Sequence, residues 1–397
     1  MVDAVVSFRS QTSQDQVRAA APLPASVATP PVLAAYRDLA ANGIRGPAQD
    51  PLWVQQWAAS TKADCFVVAV EQAGKPALAL ALEVVKSGPF RIARFMGGSH
   101  ANGNFPVADP TFLKLGTFNA GALLAAVRTM RPGVDALLLA RLLPQLDGFP
   151  NPLLALPHVQ SPNIALAADL TGGFEGLLSR VSGKRKRKKH RWAMRKFEMA
   201  GGLRRIEAQT TDDVSRLLDA YFAMKESRFR KMGITDVFGE AEVRNFFRSL
   251  FCCALEKSPR PFVLHALEVG GKLRAVTGSS VSGKRMICEF AGISEDELAH
   301  ASPGDYLFFE NIEQACRDGF EVYDFSVGDE PYKRLWCELE TRHFDVVAPL
   351  TVKGHLLAQR LRLEARVKAY VKNNPTIWRL TKMLRKNAAG QEQRPED

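Results

Sequence analysis

Two stretches of this chain, roughly half its length apart, read alike. One is "FVVAVEQAGKPALALALEVVKSGPFRIARFMGG" from Phe66; the other is "FVLHALEVGGKLRAVTGSSVSGKRMICEFAGI" from Phe262. Each opens Phe-Val and turns at a Gly-Lys pair, Gly74-Lys75 and Gly271-Lys272. Each runs through a second apolar segment to a Ser-Gly turn, Ser87-Gly88 and Ser282-Gly283, and ends in Phe-x-Gly. The offset stays between 195 and 197 residues. Short apolar runs broken by glycine turns favour hairpins, so the spacing predicts a three-stranded antiparallel meander used twice. Turn chemistry alone would recreate part of this pattern. A duplicated unit of that period also divides 397 residues into two halves of ordinary domain size.

After the second meander comes "ASPGDYLFFENIEQACRDGF", with Ser302 placed to cap a helix and Pro303 at its first position. Leu307, Phe308, Ile312, Ala315 and Cys316 make an apolar stripe at helical spacing, Gly319 ends it, and "VYDFSVG" reads as a strand. The order is β-β-β-α-β, and a weaker helix-then-strand pattern follows the first meander. The expected fold is α/β: two tandem domains, each a mainly antiparallel mixed sheet flanked by helices. The boundaries expected are a loose, Ala/Pro-rich segment over 1–30, a first domain over 31–178, a second over 179–350 that begins with a basic helix, and a basic helical tail over 351–397. Pro375 should split that tail, and its last residues should be disordered.

Charge is uneven. Net charge is +11, yet residues 180–205 alone carry twelve Lys and Arg against Glu198, and residues 350–386 carry ten against Glu364. Two basic segments on a mildly acidic body attract polyanions: nucleic acid, an anionic membrane face or a phosphate-rich donor. The six cysteines form no CxxC and no zinc-like spacing with histidine, which favours a reducing cytoplasm and no metal. The longest apolar run, from Ala77, is broken by Glu83 and is too short to span a membrane.

No GxxxxGK[ST], GxGxxG or HExxH pattern occurs. What remains is chemistry that needs neither metal nor covalent nucleophile, such as acyl transfer from a thioester to an oriented amine. The order "LLSRVSGKRKRKKHRWAMRKFEMAGG … SPGDYLFFENIEQACRDGFEVYDFSVGDEPYKRLW" resembles the CelD-type (cellulose-biosynthesis) GNAT N-acyltransferases, relatives of the Fem aminoacyl transferases, over about residues 50 to 385. The Asp-Phe-x-x-Gly-x-x-x-Tyr-Lys segment from Asp324 to Lys333 is its most specific part. The resemblance implies two GNAT-like domains and transfer from acyl-CoA (acetyl-CoA) to an amine, often on a polysaccharide or envelope precursor. The Q/R-x-x-G-x-G/A loop of ordinary GNAT enzymes is replaced by "SEDELAHASPG", whose Glu295, Asp296 and Glu297 crowd the expected phosphate end together with Asp305. A Fem-like aminoacyl-tRNA donor, or a non-catalytic polyanion-binding protein on the duplicated fold, therefore stay open.

The candidate residues follow. Asp324 and Tyr332 are expected as base and proton donor, with Glu289 a second carboxylate if it faces the cleft. Phe290, Ala291 and Gly292 would offer backbone N–H groups to the donor, Ser302 and Gly304 would meet it at the helix start, and Lys333 would contact a donor or substrate phosphate. Asp329, Lys184, Arg185 and Arg191 are expected to hold the acceptor. His265 has the same ambiguity as Glu289: cleft or solvent side of a strand. Each has a plain alternative as a turn, core or surface residue. The basic tail could lie on an anionic membrane through Trp378, Leu380 and Leu384, or pack on the second domain.

Overall fold

The computed structural model describes residues 7–9, 15–22, 31–72, 74–116 and 118–373. Within the segment expected to be loose it places β1 (Ser7–Arg9) and β2 (Asp15–Pro22). Then come α1 (Pro31–Asn42), α2 (Pro51–Ser60), β3 (Asp64–Gln72), β4 (Lys75–Ser87), β5 (Phe90–Phe95), β6 (Val107–Ala108), α3 (Pro110–Leu115), α4 (Ala120–Met130) and β7 (Ala136–Leu142). A small hairpin, β8 (Gln145–Leu146) and β9 (Phe149–Pro150), leads to β10 (His158–Asp169). The second half runs α5 (Gly173–Arg180), α6 (Gly183–Met199), β11 (Leu203–Glu207), α7 (Thr211–Met232), α8 (Ala241–Ala254), β12 (Phe262–Val269), β13 (Lys272–Ser282) and β14 (Arg285–Ile293). It closes with α9 (Pro303–Arg317), β15 (Val322–Val327), α10 (Pro331–Arg334), β16 (Leu339–Pro349) and α11 (Val352–Asn373).

Both meanders form. β3-β4-β5 and β12-β13-β14 pair antiparallel, and two-residue turns at Gly270-Gly271 and Gly283-Lys284 use positive φ at all three glycines. Each meander then receives a parallel strand across a helix: β7 beside β5, with Ala136 opposite Ile92, and β15 beside β14, with Val322 opposite Arg285. The expected β-β-β-α-β order is present in both halves.

The halves are not separate at residue 178. β16, the last strand of the second half, lies between β7 and β10, and β10 pairs with β15. All strands but the β8-β9 hairpin therefore form one sheet, in the order β1-β2-β3-β4-β5-β7-β16-β10-β15-β14-β13-β12-β11, with β6 on β4. The core is shared as well. Trp53 and Trp57 of α2 meet Phe246 of α8 edge-on, at centroid distances of 4.9 and 4.8 Å. Aromatic pairs of this kind add about 0.5–1.5 kcal/mol each beyond the area they bury. Periodicity within a segment cannot show which strand of a distant half completes a sheet.

Local signals mark the ends of several helices. α7 has a capping box, Thr210 with Asp213, and ends on Gly233 in the left-handed region. α9 starts at Pro303 and buries Leu307, Phe308 and Ile312, but Ser302 sits at φ 55° and makes no side-chain cap. α11 covers the first part of the expected tail helix, while Pro375 and the terminal residues lie outside the described residues. Among the described residues no helix is long and apolar enough to cross a membrane.

Candidate functional site

β14 and β15 pair over only three positions, ending at Ile287 opposite Asp324. Beyond that point the strands part, so the β14 edge from Cys288 to Ile293 has no strand beside it among the described residues. A wedge opens there at the middle of the sheet. Its β14 side carries a bulge: Gly278 faces Phe290 and Ser279 faces Cys288, which leaves Glu289 as the extra residue. The extra residue re-aims the side chains. Cys288 packs among α9-side residues, Phe290 joins the α7–α8 core, and Glu289 turns toward the first half of the chain.

The Glu289 carboxylate is built into a network from both halves. It accepts from Ser280 Oγ at 2.6 Å and from Asn102 Nδ2 at 3.1 Å. Asn102 is itself fixed by Arg141, whose Nη1 donates to Asn102 Oδ1 at 2.6 Å and to Ser99 O at 2.7 Å. The Arg141 N–H in turn donates to Asp345 on β16, at 2.8 Å. Burial pushes the Glu289 pKa up to about 7, against the pull of the Ser280 and Asn102 hydrogen bonds. A carboxylate with that pKa holds and releases a proton near neutrality, the range in which general bases work.

The other expected residues fall into three groups. Asp324 is buried, paired with Arg285 at 2.9 Å and accepting from the Ser326 N–H at 2.7 Å, so both oxygens are occupied. Lys333 is buried too; it bonds the Val327 carbonyl and Glu330, each at 2.9 Å, and fastens α10 to the end of β15. Asp329 pairs with Arg334 at 2.6 Å. These three hold the turn after β15 in place. Tyr332, on α10, stacks on Phe308 at 5.7 Å and keeps about a third of its surface exposed beside the wedge. Burial raises its hydroxyl pKa, so it remains a proton donor.

Phe290, Ala291 and Gly292 line the parted edge of β14, the first two through side chains in the cores on either face. Ser302 and Gly304 lie at the start of α9, where a Cβ on Gly304 would overlap Ile293. The crowding carboxylates are neutralised: Asp296 and Glu297 pair with Arg274, and Glu295 with Lys231 at 2.7 Å. Asp305 accepts from Lys189 at 2.9 Å and from Trp336 Nε1 at 3.3 Å. His265 lies away from this wedge, buried beside Glu207.

The six-residue basic run divides by face. Lys186 lies over the Trp336 ring at 3.4 Å, its pKa lowered by burial to about 8; Arg187 pairs with Glu175; and Lys189 reaches Asp305. His190 stacks on Tyr306 and Phe309, docking α6 along α9. Lys184, Lys188, Arg191 and Arg195 fall on the opposite, exposed face at helical spacing, and none forms an ion pair with a described residue. Arg185 is exposed beside them.

Sequence reasoning missed Asn102, Arg141 and Ser280. Arg141 had a signal, a lone charge inside the apolar run "ALLLARLLP". Asn102 had none, because its partner is 187 residues away. Among the described residues no cluster of three or more His, Cys, Asp or Glu side chains could hold a metal ion.

Residues 184–334 match the family model described as acetyltransferase (GNAT) domain. Among solved structures, FemX matches with a TM-score of 0.55 at 12% identity, over 84% of this chain and 98% of that one. L-PGS from Bacillus licheniformis matches at 0.47 and 10% identity, over 86% and 97% of the two chains. A tandem GNAT protein from the clavulanic acid biosynthesis pathway matches at 0.45 and 13%, over 85% and 99%. A search of curated proteins gave no match. The matched segment holds the parted strands, the bulged Glu289 and α9, and the fold around it is shared with FemX. The chain carries a GNAT acetyltransferase domain and is an acyltransferase.

Proposed function

We propose that the wedge between β14 and β15 is the site of N-acyl transfer from acyl-CoA to an amine, with Glu289 as the general base. The observation that carries this is the bulge, which turns a carboxylate of near-neutral pKa toward the junction of the halves. A thioester donor supplies an acyl group already activated for attack. The chain must then hold donor and amine together and remove one proton. On the open edge of β14 the Ala291 N–H, which strand alternation points away from β13, is available for the acyl carbonyl oxygen. Glu289, fixed by Ser280 and Asn102, takes the proton from the amine, and Tyr332 returns one to the leaving sulfur. Lys186, Lys189 and the start of α9 suit the phosphate end of the donor. The acceptor expected from the CelD-type resemblance is an amine on a glycan or envelope precursor, acylated in the cytoplasm.

A second reading, an aminoacyl-tRNA donor, is favoured by one feature: the exposed Lys184, Lys188, Arg191 and Arg195 stripe on α6, which forms no ion pair among the described residues. Calorimetry decides between them. With acetyl-CoA, saturable binding unchanged in Glu289→Gln is expected, because the base does not hold the donor. No heat with acetyl-CoA, together with tight, salt-sensitive binding of aminoacyl-tRNA, would move the assignment to the second reading.

A further inference from the structure

α11 packs on the sheet through one face only. Leu357 and Ala358 are buried there, Leu361 packs beside them, and Gly354 sits against Asp135. The outward face should be polar on a helix docked in this way. Instead it carries Val352, Leu356, Leu363 and Val367, exposed by 85%, 64%, 63% and 53%. At 3.6 residues per turn these four lie within roughly 60° of one another, opposite the packed side. Isolated exposed apolar residues are ordinary, but an aligned stripe of four along one helix marks a contact.

Charge selects the partner. Residues 350–386 hold ten Lys and Arg against the single Glu364, a net of +9. A second copy of this helix, or the chain's own following segment, would bring like charges together over that stripe. A nucleic acid would satisfy the cations and leave four apolar side chains in water. An anionic bilayer takes both, the apolar stripe at the headgroup boundary and the cations among the lipid phosphates. We propose that α11 lies on an anionic phospholipid surface, with Val352, Leu356, Leu363 and Val367 facing the lipid. The acyltransferase would then work at a membrane without spanning it. This inference does not depend on the assignment of Glu289.

The test is flotation of the full chain with vesicles of phosphatidylcholine alone or with about a third phosphatidylglycerol. Partition onto the anionic vesicles should exceed that onto neutral ones by at least ~10-fold at 0.1 M salt. The variant Leu356→Glu/Leu363→Glu should lose most of that partition, while its circular dichroism and its acetyl-CoA binding stay unchanged, because both side chains already face water. Failure to float with anionic vesicles would overturn the proposal, as would flotation that the double variant leaves intact. Concentration-dependent self-association abolished by that variant, without vesicle binding, would give the stripe to a second copy instead.

Discussion

The two halves share one topology, yet only the second turns a carboxylate toward a parted strand edge. Aligned on Phe95-x-Gly97 and Phe290-x-Gly292, the position of Glu289 in the second half is held by Arg94 in the first. β4 and β5 pair without a bulge there, so Arg94 stands opposite Glu83 and binds it at 2.9 Å. The wedge beside β7 is also filled. Asn104 takes the place of a ligand: its N–H donates to Arg141 O at 3.0 Å, its Nδ2 donates to Ala140 O at 2.8 Å, and its carbonyl accepts from Leu143 N–H at 3.1 Å. The first half has closed its own cleft with its own backbone. The same loop then reaches across with Asn102 to hold the Glu289 carboxylate of the second half. On the proposed assignment, the repeated unit yields a site and its support rather than two sites.

The largest effect expected from this contrast is on turnover. Glu289→Gln keeps the shape and one hydrogen-bonding oxygen but cannot accept the proton, so kcat should fall by about 10²–10⁴-fold. In the wild type the base is active when ionised, and its pKa lies near 7, so the rate should rise with pH through about 7 and then level off. The variant should lose that limb. Kinetics across pH 5.5–9 check both; a variant within a factor of three of the wild type would remove Glu289 from the chemistry. Mutating Arg94→Ala should leave kcat unaltered.

Next in size is a stability difference at the paired glycines. Gly97 sits at φ 95°, and a Cβ there would meet the Trp53 ring at 2.6 Å. Gly292 has ordinary φ, and its added Cβ would meet Tyr221 at 2.9 Å. Gly97→Ala combines a left-handed penalty with overpacking and should cost about 2–4 kcal/mol; Gly292→Ala, with overpacking alone, should cost about 1–3 kcal/mol. Urea unfolding midpoints at constant slope measure the two. Equal losses would mean that the halves are strained alike at this turn.

Much of this was legible in the chain. The echo and the local patterns after it placed both meanders, the helix after each and the strand that follows, because glycine turns and apolar periodicity are local. The insertion of β16 between β7 and β10 was not, since strand order depends on pairings between distant segments. The site divided in the same way. Glu289 was visible as a polar residue in an apolar strand, but the bulge that aims it appears only in the register with β13. Asp324, Asp329 and Lys333 stood in the most family-specific segment, and the structure gives all three ion-pair partners that fix the turn after β15. A recognisable motif marks what must be held in place as readily as what reacts.

The smallest effect expected tests whether the first half tunes the site or only props it open. The Asn102 amide donates to the ionised form of Glu289, and that hydrogen bond lowers a pKa that burial has raised. Removing the donor in Asn102→Ala takes away stabilisation of the carboxylate, so its pKa should rise above about 7 and the rising limb of the rate profile should move to higher pH. At pH 9, where the base is ionised in both proteins, kcat should be nearly restored. A purely structural role would lower the rate by one factor at every pH. Asn102→Asp adds a second negative charge beside the base and should move the limb in the same direction, further than alanine does. If both variants keep the wild-type midpoint, the Asn102 hydrogen bond does not tune the ionisation of Glu289, and the support that Asn102 gives is steric.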